Sequence, residues 1–94
     1  MKAPPKLKFR LYVAGDSPNS AQAKMNLERL CREHLPDRHH IDVIDVLSEP
    51  ERAIKDKVLI TPTLLKLEPR PVRTIIGNLG NSLVVLQALG LPPV

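Results

Sequence analysis

Aromatic side chains are nearly missing from this chain: Phe9 and Tyr12 are its only two, and it has no tryptophan. Domains that grip RNA or single-stranded DNA stack bases on several rings, and two rings cannot build that platform. Cysteine is as scarce. Cys31 stands alone, which excludes an internal disulfide and fits a reducing compartment. Long apolar runs are lacking too, since no stretch approaches the roughly twenty apolar residues of a membrane span. The opening Met1-Lys2-Ala3-Pro4-Pro5-Lys6 carries no apolar signal-peptide core. A cytoplasmic location is therefore the expectation. There is no glycine-rich phosphate loop among the four glycines.

What remains is a chain of 94 residues, enough for a single domain spanning 1–94 with one sheet and two or three helices. A domain of this size buries only about 60–70% of its unfolded surface, so oligomerisation would add stability. The net charge of +4 favours acidic partners, but fourteen basic residues are interspersed with ten acidic ones. That distribution suits a solvated mixed surface better than a nucleic-acid footprint.

Leu7 to Val13 alternates apolar and basic residues and ends in an apolar pair, the pattern of a strand covered on one face first and on both later. Ala14 to Ser20 turns into a helix, with Ser17 as cap and Pro18 in the first helical position. Ala23, Leu27, Leu30, Cys31 and His34 then recur at helical spacing up to Leu35, and Pro36 stops the helix. Asp37-Arg38-His39-His40 reads as a polar loop and Ile41 to Leu47 as a second, β-branched strand. Strand, helix and strand with a long crossover predict a parallel, right-handed unit. Ser48 and Glu51 have capping-box spacing, which predicts a short second helix reaching to about Lys57.

The run Val58 to Leu67 is broken at its centre by Thr61-Pro62-Thr63. Proline lacks the backbone donor of a central strand, so the third strand is expected from Thr63 to Glu68, with Thr61-Pro62 as the corner leading into it. In thioredoxin-like domains a cis proline stands at this place; the dipeptide alone leaves the isomer open. Pro69-Arg70-Pro71 is too short for a parallel crossover, so Val72 to Ile76 returns antiparallel. After the turn Gly77 to Asn81, Ser82 to Leu89 reads as a helix tipped by Ala88, closed by Gly90 and stopped by Pro92 and Pro93. Leu83-Val84-Val85-Leu86 is apolar all round, and periodicity alone does not separate a helix from a buried strand there. The fold class is α/β: a thioredoxin-like βαβαββα order with a mixed four-stranded sheet.

Such a fold performs thiol–disulfide exchange through a low-pKa cysteine at the start of the first helix. Here that segment is Asp16-Ser17-Pro18-Asn19-Ser20 and holds none. Cys31 lies further along, on the apolar face, and reads as a core residue. Glutathione binding, with Ser17, Ser20 or Tyr12 acting on a thiol, is the enzyme-class alternative, although a serine there is more often a cap and a strand tyrosine more often packing. His34, His39 and His40 lack the additional closely spaced ligands of a metal site. Asp42 and Asp45 fall on opposite faces of their strand, so they do not form a paired-carboxylate site. With no chemistry and no cofactor indicated, the chain reads as a binding module, with the edge strand Ile41 to Asp45 and the corner at Lys57 to Thr63 as candidate surfaces.

Leu11-Tyr12-Val13-Ala14-Gly15 with Ser17-Pro18-Asn19-Ser20, Val43 to Leu47, Thr61-Pro62-Thr63-Leu64, and Pro71-Val72-Arg73 with Ile75-Ile76-Gly77 closely resemble the KaiB family of circadian-clock proteins. The likeness runs from about Leu7 to about Leu91. It implies a non-enzymatic partner of a KaiC-like ATPase ring, with KaiA and sensor histidine kinases as further partners; the scarce aromatics, mixed charge and short apolar runs speak against nucleic acid or membrane as partners. It also implies a metamorphic chain that switches between a tetrameric ground state of order βαββααβ and a monomeric thioredoxin-like state that binds KaiC. Ala88 and Gly90 replace the family's usual glycine and aspartate. Both changes favour the thioredoxin-like helix and so act as fold-state determinants, with a monomer expected ahead of a dimer or tetramer. On this reading Lys57, Val58, Leu59, Thr61 and Pro62 touch KaiC, Arg70 and Arg73 add charge, and Ile41 and Val43 belong to the second, edge-strand surface. Core packing for the apolar members and solvation for the basic ones are the competing readings. A diverged paralogue with stress or signalling partners remains a further alternative.

Overall fold

The alternation that begins at Leu7 becomes strand β1 (Leu7–Val13) in the computed structural model, which describes residues 6–91. After it come helix α1 (Pro18–His34), strand β2 (His39–Asp45), helix α2 (Pro50–Lys55), strands β3 (Thr63–Glu68) and β4 (Arg73–Ile76), and helix α3 (Ser82–Leu89). The four strands form one sheet in the order β2-β1-β3-β4. β1 pairs parallel with β2 and antiparallel with β3, and β4 returns antiparallel along β3. The βαβαββα order and mixed sheet agree with the expectation, and the last segment is a helix, not a strand.

The burial of β1 follows its sequence: Lys8 and Arg10 are half-exposed, whereas Leu11, Tyr12 and Val13 are all buried. One face of the sheet is covered by α1 and α3, whose Ala23, Leu27, Leu30, Val85, Leu86 and Leu89 pack on Leu7, Phe9, Leu11 and Leu64. Among the described residues the other face carries only α2. Its core is correspondingly small, with Tyr12, Ile44, Ala53 and Leu65 at the centre and Val46, Val58 and Leu67 at the margin.

Local chemistry sets the element ends, and three expectations are corrected. β2 starts at His39 and ends at Asp45, two residues before the expected limits, because pairing with β1 begins at Leu7↔His39 and ends at Val13↔Asp45. His39 and His40 are thus strand residues, not loop. The Asp45 carboxylate accepts from Gly15 N and Leu47 N, which bends Val46 and Leu47 into a turn. The Ser48–Glu51 capping box does not form. Glu49 occupies the N-cap without a side-chain bond, and Pro50 fixes the first helical dihedral instead. α2 also stops at Lys55, short of Lys57, whose φ of 58° turns the chain out of the helix.

Other ends agree with expectation. Ser17 Oγ caps α1, accepting from Ser20 N. Asn81 Oδ1 caps α3, and Gly90, at φ 73°, closes it in the left-handed conformation that glycine adopts most easily. The proposed stop at Pro92 and Pro93 lies outside the described residues. The Thr61–Pro62 peptide is cis, as are Glu68–Pro69 and Arg70–Pro71.

Candidate functional site

α2 has six residues and is tied to the β1/β2 side of its face, where Arg52 Nη2 donates to Asp42 Oδ2 at 3.1 Å. The β3/β4 side therefore has no helix over it among the described residues. A groove of about 360 Å³ lies there, lined by Val58, Leu59, Ile60, Leu65, Thr74 and Ile76 together with Asp56 and Lys57. Three of its apolar residues are open to solvent. Leu59 is 96% exposed, and Ile60 and Ile76 are each more than half exposed. Isolated apolar residues on a surface need no explanation, but several converging on one groove mark an interaction site.

A polar cluster beneath α2 holds the groove's helical end. Tyr12 is fully buried, and its hydroxyl donates to Asp56 Oδ2 at 2.5 Å while lying 2.9 Å from the Arg52 carbonyl oxygen. Arg10 Nη1 donates to the same Asp56 oxygen at 2.9 Å. Burial first and the bond to Asp56 second push the Tyr12 hydroxyl up to about 12. Burial would raise the Asp56 carboxyl, but the bonds from Tyr12 and Arg10 outweigh it and leave Asp56 below its ordinary value. Asp56 is the C-cap of α2, so this cluster fixes the point from which Lys57 to Ile60 leave the helix. Val58 N reaches back to the Ala53 carbonyl, and Thr63 Oγ1 donates to the Ile60 carbonyl.

Lys57, Val58 and Leu59 meet at this groove. Lys57 is exposed, Val58 is half-buried against the smaller core, and Leu59 projects into solvent. Thr61 is half-buried and Pro62 is buried in the corner that leads to β3. Arg73 opens β4 and is exposed, as is Arg70 in the β3–β4 connection. Ile41 and Val43 are not part of this surface: β2 is the opposite edge of the sheet, with Ile41 packed on the larger core and Val43 exposed. Ala88 is half-buried within α3.

Sequence reasoning missed Thr74 and Ile76 as groove residues, held Ile60 only within the Lys57 to Thr63 corner, and missed the Tyr12–Asp56–Arg10 cluster. The period-2 alternation of β4 was available as a signal for Thr74 and Ile76 sharing a face. Nothing local said that the face would be left open. The hydroxyls a glutathione reading would use are engaged: Ser17 Oγ donates to Ser20 Oγ at 2.8 Å, Ser20 Oγ accepts from Ala14 N, and Tyr12 is bound to Asp56. Cys31 is buried, with burial pushing its thiol up to about 12. Among the described residues no helix is long and apolar enough to cross a membrane.

Known proteins resemble this arrangement in fold and in sequence. The N-terminal domain of SasA from Synechococcus elongatus superposes with a TM-score of 0.75 at 20% identity, covering 96% of this chain and 89% of that one. Mitochondrial thioredoxin 3 from Saccharomyces cerevisiae gives 0.73 at 16% identity, with 93% and 80% covered. At these identities the likeness shows the fold, which is thioredoxin-like. In sequence, the circadian clock protein KaiB3 of Synechocystis sp. is 44% identical over 85 residues, or 90% of this chain and 83% of that protein. The KaiB domain matches residues 10–91, and the chain belongs to the KaiB family of circadian clock proteins.

Proposed function

We infer that this domain is a non-enzymatic, cytoplasmic protein-binding module that docks on a KaiC-like ATPase ring and modulates clock or signalling output. The observation that carries this reading is the open groove at the end of α2. A partly buried polar cluster holds the backbone there while Leu59 is left almost wholly in solvent, the arrangement of a preorganised contact and not of a core. Membership of the KaiB family supports KaiC as the partner class, and the β2 edge, with Val43 exposed, suits a second partner such as KaiA or a sensor histidine kinase. On this reading Lys57, Val58, Leu59, Thr61 and Pro62 form or support the KaiC contact, with Arg70 and Arg73 steering it.

The chain is further proposed to favour the thioredoxin-like state of a fold-switching family. Ala88 strengthens α3 and Gly90 closes it, so both act on the segment that the alternative fold must rebuild. Backbone chemical shifts across Ser82 to Leu89 test this, with helical values expected and strand values contrary to it. The docking reading is tested by size-exclusion chromatography of the domain with a KaiC hexamer and ATP. Co-elution is expected. If the domain and the ring elute separately, KaiC is not the partner.

A further inference from the structure

The groove ends at an edge of the sheet, and the edge strand and the groove share residues. β4 is the last strand in the order and, among the described residues, pairs only with β3. Gly77 N donates to the Pro62 carbonyl, so in this antiparallel ladder Arg73, Ile75 and Gly77 direct their backbone groups at β3. The N–H and C=O of Thr74 and Ile76 therefore point outward. Their side chains line the groove. A strand laid along β4 would pair with these two residues and place the side chains opposite them over the same apolar face.

Charge decides what kind of strand fits. Lys57 lines the groove, and Arg73 and Arg70 lie at the start of β4 and just before it; all three are exposed, and none has a salt bridge among the described residues. The one carboxylate of the lining, Asp56, is taken up by Tyr12 and Arg10. Two copies of this chain joined antiparallel through Thr74 and Ile76 would set Arg73 of each opposite Gly77 of the other and leave these cations without a counter-charge. A segment with acidic flanks would meet them favourably.

From this juxtaposition we propose that the β4 edge captures an extended partner segment by strand addition, the segment carrying alternating β-branched apolar residues over the groove and acidic residues on both sides. This deepens the docking reading and rests on it only for the identity of the protein that supplies the segment.

The probe is a short, end-capped peptide of alternating valine and threonine flanked by glutamates, with a lysine-flanked peptide of the same core as control. Titration into the labelled domain at millimolar peptide, followed by amide hydrogen exchange, is expected to slow exchange at Thr74 and Ile76. The lysine-flanked peptide is expected to bind roughly tenfold more weakly, through like-charge contact with Lys57, Arg70 and Arg73. Thr74→Pro removes one outward N–H without removing a bond to β3, and should weaken the acidic peptide roughly fivefold, whereas Thr74→Val should not. Unchanged exchange at Thr74 and Ile76 with saturating acidic peptide, or equal affinity for both peptides, overturns the proposal. A KaiC ring that binds wild type and Thr74→Pro equally overturns strand addition and leaves docking standing. A peptide that binds as expected while no ring co-elutes does the reverse.

Discussion

Tyr12, Arg10 and Asp56 join β1 to the end of α2 through two bonds to one carboxylate oxygen, and each partner depends on the others. Tyr12→Phe leaves the ring in place and deprives half-buried Asp56 of a donor, at an expected cost of about 1–2 kcal/mol measured by chemical denaturation. The pH dependence follows from the direction of the shifts. Asp56 lies below its ordinary 3.8 in the folded state, so its contribution is present above that value and is lost as pH falls through the lower folded one. Asp56→Asn should therefore reduce stability at neutral pH and flatten the acid limb of the stability profile. Tyr12 acts at the other end. Its folded value of about 12 against an ordinary 10 means that the unfolded chain loses this proton first, and stability declines as pH rises past 10. Cys31, also pushed up to about 12 by burial, should react with iodoacetamide only as fast as the fold opens.

Among the elements, the helix ends separate what short-range sequence specifies from what it only suggests. Ser17 and Ser48 look alike in sequence, each one or two residues before a proline and a helix, yet only Ser17 caps. Ser17→Ala should cost about 1 kcal/mol, and Ser48→Ala should fall within about 0.5 kcal/mol of wild type, both read from thermal unfolding. Spacing alone overpredicted the second cap because Ser48 N is drawn into the turn after β2, donating to the Asp45 carbonyl. β2 was misplaced for a related reason: a strand's limits are set by its neighbour, and the polar His39 and His40 join because Leu7 and Lys8 pair with them. The limits of β1, β3 and α3 were legible, since alternation, the corner proline and Gly90 each carry a local cause. In α3, Ala88→Gly should cost about 1 kcal/mol from helix propensity. Gly90→Ala should cost about the same from its left-handed φ of 73°, since an added Cβ meets nothing within 4 Å there. Faster amide exchange across Ser82 to Leu89 is the readout for both.

Across the whole molecule, the sheet is covered unequally, by the 17-residue α1 and the 8-residue α3 on one face and by the 6-residue α2 on the other. Sequence patterning could say that Val58, Leu59 and Ile60 are apolar, and it could place Leu59 beside the corner, but it could not say that only Val58 of the three packs on the smaller core. That depends on how far a short helix reaches across a twisted sheet. The inequality separates two kinds of leucine. Leu65 sits in the smaller core at 7% exposure, and Leu59 protrudes at 96%. Leu65→Ala should destabilise the fold by about 2–4 kcal/mol, with a lower denaturation midpoint. Leu59→Ala removes almost no area buried on folding, so its stability should stay within about 0.5 kcal/mol of wild type. If the groove is where a partner docks, the same side chain is its anchor, and truncating an interface anchor costs about 2 kcal/mol or more, roughly a thirtyfold loss of affinity. A Leu59→Ala domain that keeps its denaturation midpoint and loses co-elution with the ring would fit a docking groove. One that keeps both would move the contact elsewhere, with the β2 edge at Val43 the next surface to mutate.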